Sequence, residues 1–590
     1  MRGLTHRWIE PKGLPTDGTT GPGGTKGLDP LVRRVLAARG MSDPDAAVAF
    51  CTPSLLELHD PSLMPDLERA CARVLDALRA REPIVIYGDY DVDGVSATAI
   101  LWHTLRHIDP DATEAGRVRT YVPHRLDEGY GLNSDAIASF ADEGVKVVIS
   151  VDCGITARKQ ALCARQAGID LIITDHHNPP APELLPEAFA LVHPRVGEGY
   201  PFGELCGAGV AFKLAWRLVT MREGAQRVSL GARGVLLDAL AMAGLATIAD
   251  VVPLVGENRV IAKHGLARIK HTQNIGLGAL IEASGLAGKD VGSEEAGYVL
   301  GPRLNACGRM GHAREAVELL ITQDPERAHE LATHLDAQNR GRRDLEKRIF
   351  EQAVERVESA GLDRPDRRAI VLAGENWHPG VVGIVCSRLV GKLCRPSILL
   401  CDDGRECSGS GRSIDGYNLH GALEHCADLL TRFGGHDMAA GMGLASRDVE
   451  AFADRLGAHA LQHIPEEHLI PSLRIDCEAR PDELTLGCLE QLERLAPFGR
   501  ANPAPLLLVR GLRVERNGQT MGAGGAHMQV RFGDGRSGAV RGVGWRMGEH
   551  AATLREGMEV DVAARPKINR WKGSSRVELE LKDVRIGEPA

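Results

Sequence analysis

From about residue 83, short apolar runs recur at intervals that suit a parallel sheet. Ile84–Tyr87, Val118–Val122, Val147–Val151 and Leu171–Thr174 alternate with helix-length segments such as Val95–Ile108 and Ser134–Glu143, a pattern that predicts βαβ units and an α/β fold. This domain is expected over residues 51–324. Residues 325–364 form a long polar stretch with few apolar positions, read as a helix connecting two domains. A smaller α/β unit is expected over 365–463, where AIVLAG (369–374) and SILLC (397–401) flank the helix-like VGIVCSRLVGKL. From 464 to 590 the period falls to two. Segments such as LLLVRGLRVE, HMQVRF, AVRGVGW and RVELELKDVRI between Gly-rich turns predict a small β-barrel. Residues 1–50 read as a lead-in, with GLPTDGTTGPGGTKG (13–27) too rich in Gly, Pro and Thr to pack, followed by a small helical segment.

The bulk numbers narrow the class without changing this outline. A chain of 590 residues exceeds one hydrophobic core, and about two to four domains follow. With 43% hydrophobic and 25% charged residues it is an ordinary globular composition. The 13 cysteines include no CxxC pair, which suits a reducing cytoplasm better than a disulfide framework or zinc knuckle. The start MRGLTHRWIEPKG lacks a continuous apolar segment, and no eighteen apolar residues run together, so neither secretion nor a membrane span is expected. The net charge of −9 speaks against a generally basic phosphate binder. Segregated charge, with an acidic metal site and a basic channel elsewhere, remains compatible with it.

The candidate chemistry sits at strand ends. YGDYDVDG (87–94) places Asp89, Asp91 and Asp93 directly after an apolar strand, VVISVDCG places Asp152 after another, and LIITDHH places Asp175, His176 and His177 after a third. Ligands of parallel sheets bind at the carboxyl ends of the strands. One such aspartate is as readily a helix cap as a ligand, but three acid-bearing strand ends in one array are hard to explain as caps. Mutually repelling carboxylates need a cation, and oxygen ligands with one or two imidazoles suit Mg²⁺ or Mn²⁺ better than zinc. Two ions about 3.5–4 Å apart would bind a phosphodiester, activate water and neutralise the leaving oxygen. Asp250, in GLATIADVVPL, ends an apolar helical stretch; a carboxylate is poorly placed at that negative end of the helix dipole, which makes it a fourth candidate.

In this order and after strands, YGDYDVDG, VDCG and TDHH resemble the first three motifs of the DHH phosphoesterase superfamily. The chain also carries LCGAGVAFKL (205–214), ATIADVVPL (246–254), GPRLNACGRMG (301–311), LDAQNRGRRDLE (335–346), WHPGVVGIVCSRL (377–389), SGSGRS (408–413), GGHDMAAGM (434–442) and LAPFGRANPAP (495–505). Together these resemble the bacterial RecJ exonucleases from about residue 30 to the end. The resemblance implies a two-metal DHH domain, a DHH-associated second domain and an oligonucleotide-binding barrel. It implies 5′→3′ degradation of single-stranded DNA to mononucleotides with Mn²⁺ or Mg²⁺, in repair and recombination. A monomer acting with a single-strand-binding protein and a helicase is the corresponding assembly.

Residue by residue, the resemblance maps the metal ligands to Asp89, Asp91, Asp152, His176 and Asp250. His177 would aid water or transition-state positioning, with Asp93 in a supporting role. It maps Ser410 and Arg412 of SGSGRS to a 5′-phosphate pocket, with Arg125 and Arg309 as further phosphate candidates and His436 on the substrate side of the second domain. Small residues beside an arginine suit this physically, because backbone N–H groups and a guanidinium can grip one anion. In the barrel, RPKINRWKGSSR (565–576) interleaves Lys567, Arg570, Lys572 and Arg576 with Trp571, as a hairpin tracking a single strand would. Two rivals remain: a DHH phosphodiesterase of short oligonucleotides or cyclic dinucleotides, which would lack the third domain, and a nuclease-dead scaffold, which would not need every ligand.

Overall fold

Each run expected to be a strand of the first sheet's centre is buried on both faces, and this fixes the sheet's place between helices. The computed structural model describes residues 2–10, 27–124, 128–224, 227–533 and 538–587. These fall into two compact units, one of residues 53–343 with 497–503 and the other of 1–52, 344–496 and 504–590.

The first unit is built on five parallel strands in the spatial order Val118–Tyr121, Ile84–Tyr87, Val147–Val151, Asp170–Thr174, Ala190–Val192. In chain order this is 2-1-3-4-5. The direction of winding therefore reverses between Ile84–Tyr87 and Val147–Val151, and a crevice opens at their carboxyl ends. Helices Val92–Ile108, Gly207–Glu223 and Leu230–Ala249 pack against one another beside the sheet in one continuous core. Leu230–Ala249 is the one helix among the described residues long and apolar enough to span a bilayer, with a mean hydropathy of 1.5, yet 56% of it is buried inside the protein. Its apolar character reflects packing on several sides, and its carboxyl end delivers Asp250.

The polar helix predicted after residue 324 runs from Pro325 to Ser359. It is less uniformly polar than its composition suggests: Ala328, Leu331, Ala332 and Leu335 at helical spacing enter the core of the first unit, and Ile349, Ala353 and Val357 are buried further along.

In the second unit, a five-stranded mixed sheet runs Arg432–His436, Ala439–Ala445, Glu406–Arg412, Ser397–Asp402, Ile370–Glu375, with only the last pair parallel. The carboxyl-terminal segments form a closed five-stranded barrel of Leu507–Met521, His527–Gly533, Val540–Gly544, Ser574–Ile586 and Glu559–Trp571, the last pairing back to the first. The amino-terminal segment packs with this barrel. Strand Arg7–Ile9 pairs with Ser472–Arg474, and buried Asp583 accepts hydrogen bonds from Trp8 Nε1 at 2.8 Å and from the N–H groups of Thr5 and His6 at 3.1 and 3.0 Å.

Candidate metal centre

The chain leaves the first strand at Tyr87, and Asp91 is the N-cap of helix Val92–Ile108, its Oδ1 accepting from the N–H groups of Asp93 and Gly94 at 2.8 and 3.2 Å. The helix thus starts three residues before the Val95 expected from the apolar pattern. Capping and metal binding are not exclusive here: one carboxylate oxygen serves the helix, and the other remains for the crevice. Asp89 precedes it, buried in the turn.

Asp93 lies inside the first helical turn and is spoken for. Its Oδ2 and Oδ1 accept from the N–H groups of Gly207 and Ala208 at 2.6 and 2.7 Å, the first turn of helix Gly207–Glu223. A carboxylate at that position is favoured by the helix dipole as well as by two charge-assisted bonds. The same helix start admits Asp152, because a Cβ on Gly207 would lie 2.7 Å from Asp152 Oδ1. Asp152 itself holds a left-handed backbone, φ 61°, which few residues without glycine's freedom adopt.

These elements bring the candidates together. His176 Nε2 lies 3.2 Å from Asp152 Oδ1, 3.6 Å from Asp93 Oδ2 and 3.7 Å from Asp250 Oδ2. Ligand atoms of Asp89, Asp91 and Asp152 fall within 4.8 Å of one another, as do those of Asp93, His176 and Asp250, and of Asp152, His176 and His177. Burial, and then the charges of Asp93, Asp91, Asp89 and Asp250, pushes Asp152 well above the ordinary carboxylate range. Burial, then Asp93 and Asp91, pushes Asp250 up to about 9, partly opposed by His177 and Arg500. Burial lowers His176. Buried Asp152 Oδ1 and His176 Nε2 find no hydrogen-bond partner among the described residues. A divalent cation answers all of these at once: it satisfies both orphaned atoms and removes the repulsion, and the oxygen-rich donor set suits Mg²⁺ or Mn²⁺.

Asp175 belongs to the strand-end motif, but its role is visible only in the fold. Its Oδ1 accepts from the N–H groups of His176 and His177 at 2.7 and 3.1 Å and pairs with His177 Nδ1 at 2.8 Å, while Oδ2 accepts from Ile155 N–H at 2.8 Å. Burial would raise this carboxyl, but these bonds hold it at about 2. Burial would likewise lower His177; the bond to Asp175 instead raises it to about 9. Tyr130 Oη stands 3.2 Å from His177 Nε2. Asn305, on helix Gly301–Met310, accepts from Val92 N–H at 3.1 Å, and Arg309 lies in the last turn of that helix. Asn305 lies within the motif GPRLNACGRMG, yet no spacing singles out either Asn305 or Tyr130, since each acts through a partner far away in the chain. Arg125 lies outside the described residues.

In the second unit, Ser410 and Arg412 alternate on strand Glu406–Arg412 and face helix Pro379–Leu393. The position a Cβ would take on Gly383 is 3.4 Å from Ser410 Oγ and 3.2 Å from Arg412 Nη2. Ala439 pairs with both Arg412 and His436, so all three candidates share one end of the sheet. On the barrel, a groove of about 1120 Å³ is lined by Arg516, Arg531, Arg541, Arg576 and Trp571 among others. Of the hairpin cations, Arg570 pairs with Glu493 at 2.7 Å and Lys567 with Glu580, while Trp571 is exposed.

Three family profiles match in succession: the DHH family, N-terminal domain, over residues 83–243, the DHHA1 domain over 366–460 and the RecJ OB domain over 475–583. The single-stranded-DNA-specific exonuclease RecJ of Bacillus subtilis (strain 168) is 38% identical over 565 residues, covering 95% of this chain and 68% of that protein. The chain belongs to the RecJ family. The RecJ of Dickeya dadantii (strain 3937) is 34% identical, with 94% of this chain and 96% of that protein covered. Among solved structures, RecJ from Thermus thermophilus in complex with Mn²⁺ superposes with a TM-score of 0.79 at 30% identity, covering 95% of this chain and 76% of that one. Its complex with Mg²⁺ gives 0.72 at 29% identity, covering 95% and 75%. The RecJ OB match coincides with the closed barrel and the DHH match with the parallel sheet, so the resemblance extends through the architecture of each unit.

Proposed function

We propose that this chain is a metal-dependent exonuclease that degrades single-stranded DNA from its 5′ end to mononucleotides, acting in DNA repair and recombination. The observation that carries this reading is the crevice itself: five acidic groups and two imidazoles from four separate segments, arranged so that metal-free carboxylates repel and two buried ligand atoms lack partners. A nuclease-dead scaffold would have no use for that cost. The RecJ relatives are named for single-stranded DNA and crystallise with Mn²⁺ or Mg²⁺, which supports both substrate and ions. Asp89, Asp91, Asp152, His176 and Asp250 are the residues that would hold two ions. When bound, such ions act as Lewis acids on a phosphodiester and lower the pKa of water.

The protein's own contribution is positional. Asp93 ties the metal loop to a helix amino terminus and keeps Asp91 and Asp152 converging. Asp175 grips His177 through Nδ1, which fixes the ring beside the crevice where it can hydrogen-bond a phosphate oxygen. Ser410, Arg412 and His436 offer hydroxyl, guanidinium and imidazole to a terminal phosphate, which supports 5′ polarity. The thirteen cysteines are all free thiols, which supports a cytoplasmic setting. A monomer receiving strands from a helicase and a single-strand-binding protein completes the reading. Digesting 5′-labelled and 3′-labelled single strands side by side with Mn²⁺ tests it: labelled mononucleotide should appear first from the 5′ end, and earlier release from the 3′ end refutes the polarity.

A further inference from the structure

The motif LAPFGRANPAP carries none of the candidate metal ligands or phosphate-binding groups, yet its centre is closely braced. Residues 497–503 pack with the catalytic unit, although the chain on either side of them belongs to the other. Gly499 N–H donates to Asn502 O at 2.9 Å and Asn502 N–H to Gly499 O at 3.2 Å, closing a four-residue turn. Ala501 takes φ 60° at the third position, where a type II turn ordinarily uses glycine. The Asn502 side chain is wholly buried and donates from Nδ2 to Pro497 O at 2.8 Å, bracing the turn from below. The whole is docked by Leu254 N–H, which donates to Arg500 O at 2.9 Å four residues beyond Asp250.

The residue held at the apex is Arg500. Its side chain is exposed and forms no ion pair among the described residues, and the peptide that carries it is bonded to Leu254 in the segment that follows Asp250. A turn needed only for packing has no use for arginine at its apex, and a solvated surface arginine has no use for a strained alanine and a buried asparagine beneath it. A cation whose backbone is anchored beside the segment bearing Asp250, and whose side chain pairs with no carboxylate among the described residues, keeps its five donors for a further anion. In a crevice that works on phosphodiesters, the anion is phosphate, which a guanidinium meets bidentately.

We propose that Arg500 is a substrate-binding residue, gripping a backbone phosphate of the single strand on the Asp250 side of the catalytic crevice. This rests on the nuclease reading above. The test uses the full chain with Arg500→Gln and Arg500→Lys. With Mn²⁺ and a 5′-phosphorylated oligonucleotide, Arg500→Gln should raise KM about tenfold with kcat changed less than about threefold, and leave the Mn²⁺ concentration for half-activation unchanged. In an Asp152→Asn background, where binding can be followed without hydrolysis, the slope of log Kd against log salt should fall by about 0.7, the loss of one phosphate contact. Arg500→Lys should restore that slope while recovering only part of KM, since it keeps the charge but not the fork. Because Arg500 holds the fold through its main chain, the variant's melting temperature should match the wild type. Unchanged KM and salt slope, with a shifted Mn²⁺ requirement, would mean that Arg500 acts only on the carboxylates and would overturn the proposal. A wild-type protein inactive on single strands would instead overturn the nuclease reading.

Discussion

Replacing Asp250 by asparagine should make the metal-free protein more stable while removing its activity. Asp250 caps the carboxyl end of helix Leu230–Ala249, where the dipole already disfavours negative charge, and its side chain is 25% exposed. Burial, Asp93 and Asp91 raise its pKa from 3.8 to about 9. An acid whose folded-state pKa is raised destabilises the fold at every pH above the unfolded value, and the effect grows until the folded value is reached. Between 3.8 and pH 7 this amounts to at most about 4 kcal/mol at about 1.4 kcal/mol per unit. Sharing with Asp91 and Asp93, together with the partial exposure, leaves about 1–3 kcal/mol for Asp250 alone. For a unit of this size that is a rise in Tm of roughly 2–6 °C. Thermal unfolding in EDTA across pH 4 to 8 checks it. Asp250→Asn should exceed wild type at pH 8 and converge with it near pH 4, and Mn²⁺ should raise the wild-type Tm more than the variant's. A variant no more stable than wild type at pH 8, or a difference independent of pH, would refute the argument that carboxylate repulsion is stored in the crevice.

Asp93→Ala should act in the opposite direction: losing two charge-assisted bonds to Gly207 and Ala208 costs about 2–4 kcal/mol, measurable by urea unfolding in EDTA. Lys213→Met removes the only cation paired with buried Glu257 among the described residues, its Nζ lying 2.5 Å from Glu257 Oε1, and should cost about 3–5 kcal/mol. Because His59 N–H at 2.8 Å and Tyr200 Oη at 2.5 Å also donate to Glu257, adding Glu257→Leu should recover little of that loss, and full recovery would count against this network. Arg412→Ala should raise KM severalfold for strands with a 5′ phosphate and hardly at all for strands with a 5′ hydroxyl; equal effects on both would remove Arg412 from a terminal-phosphate pocket.

Much of the fold is legible in the chain because a strand covered on both faces must be apolar throughout, and turns must break that pattern. The ends of Ile84–Tyr87, Val147–Val151 and Asp170–Thr174 can therefore be read, and with them the acidic loops. What each carboxylate oxygen does cannot. Asp93 is committed by a helix that arrives 114 residues later, and local spacing makes it the equal of Asp89 and Asp91. The start of helix Val92–Ile108 is misplaced for a related reason: the apolar pattern begins at Val95, whereas the first turn is set by the Asp91 cap. Asp175 is legible as the acid of the third strand end, but not its bonds to Ile155 and His177, which are set by the fold. LAPFGRANPAP marks the segment that holds Arg500, but no periodicity in the chain announces that its turn will dock beside residue 254.

The central claim is that carboxylates and His176 in the crevice exist to hold catalytic divalent ions. The most direct measurement is the rate of mononucleotide release from a 5′-phosphorylated single strand by wild type and Asp152→Asn, each titrated with Mn²⁺ after EDTA treatment. The account predicts no release by wild type without metal, saturable release with it, and loss of at least about a hundredfold in Asp152→Asn despite retained strand binding. Undiminished release by Asp152→Asn, or release by wild type in EDTA, would contradict it.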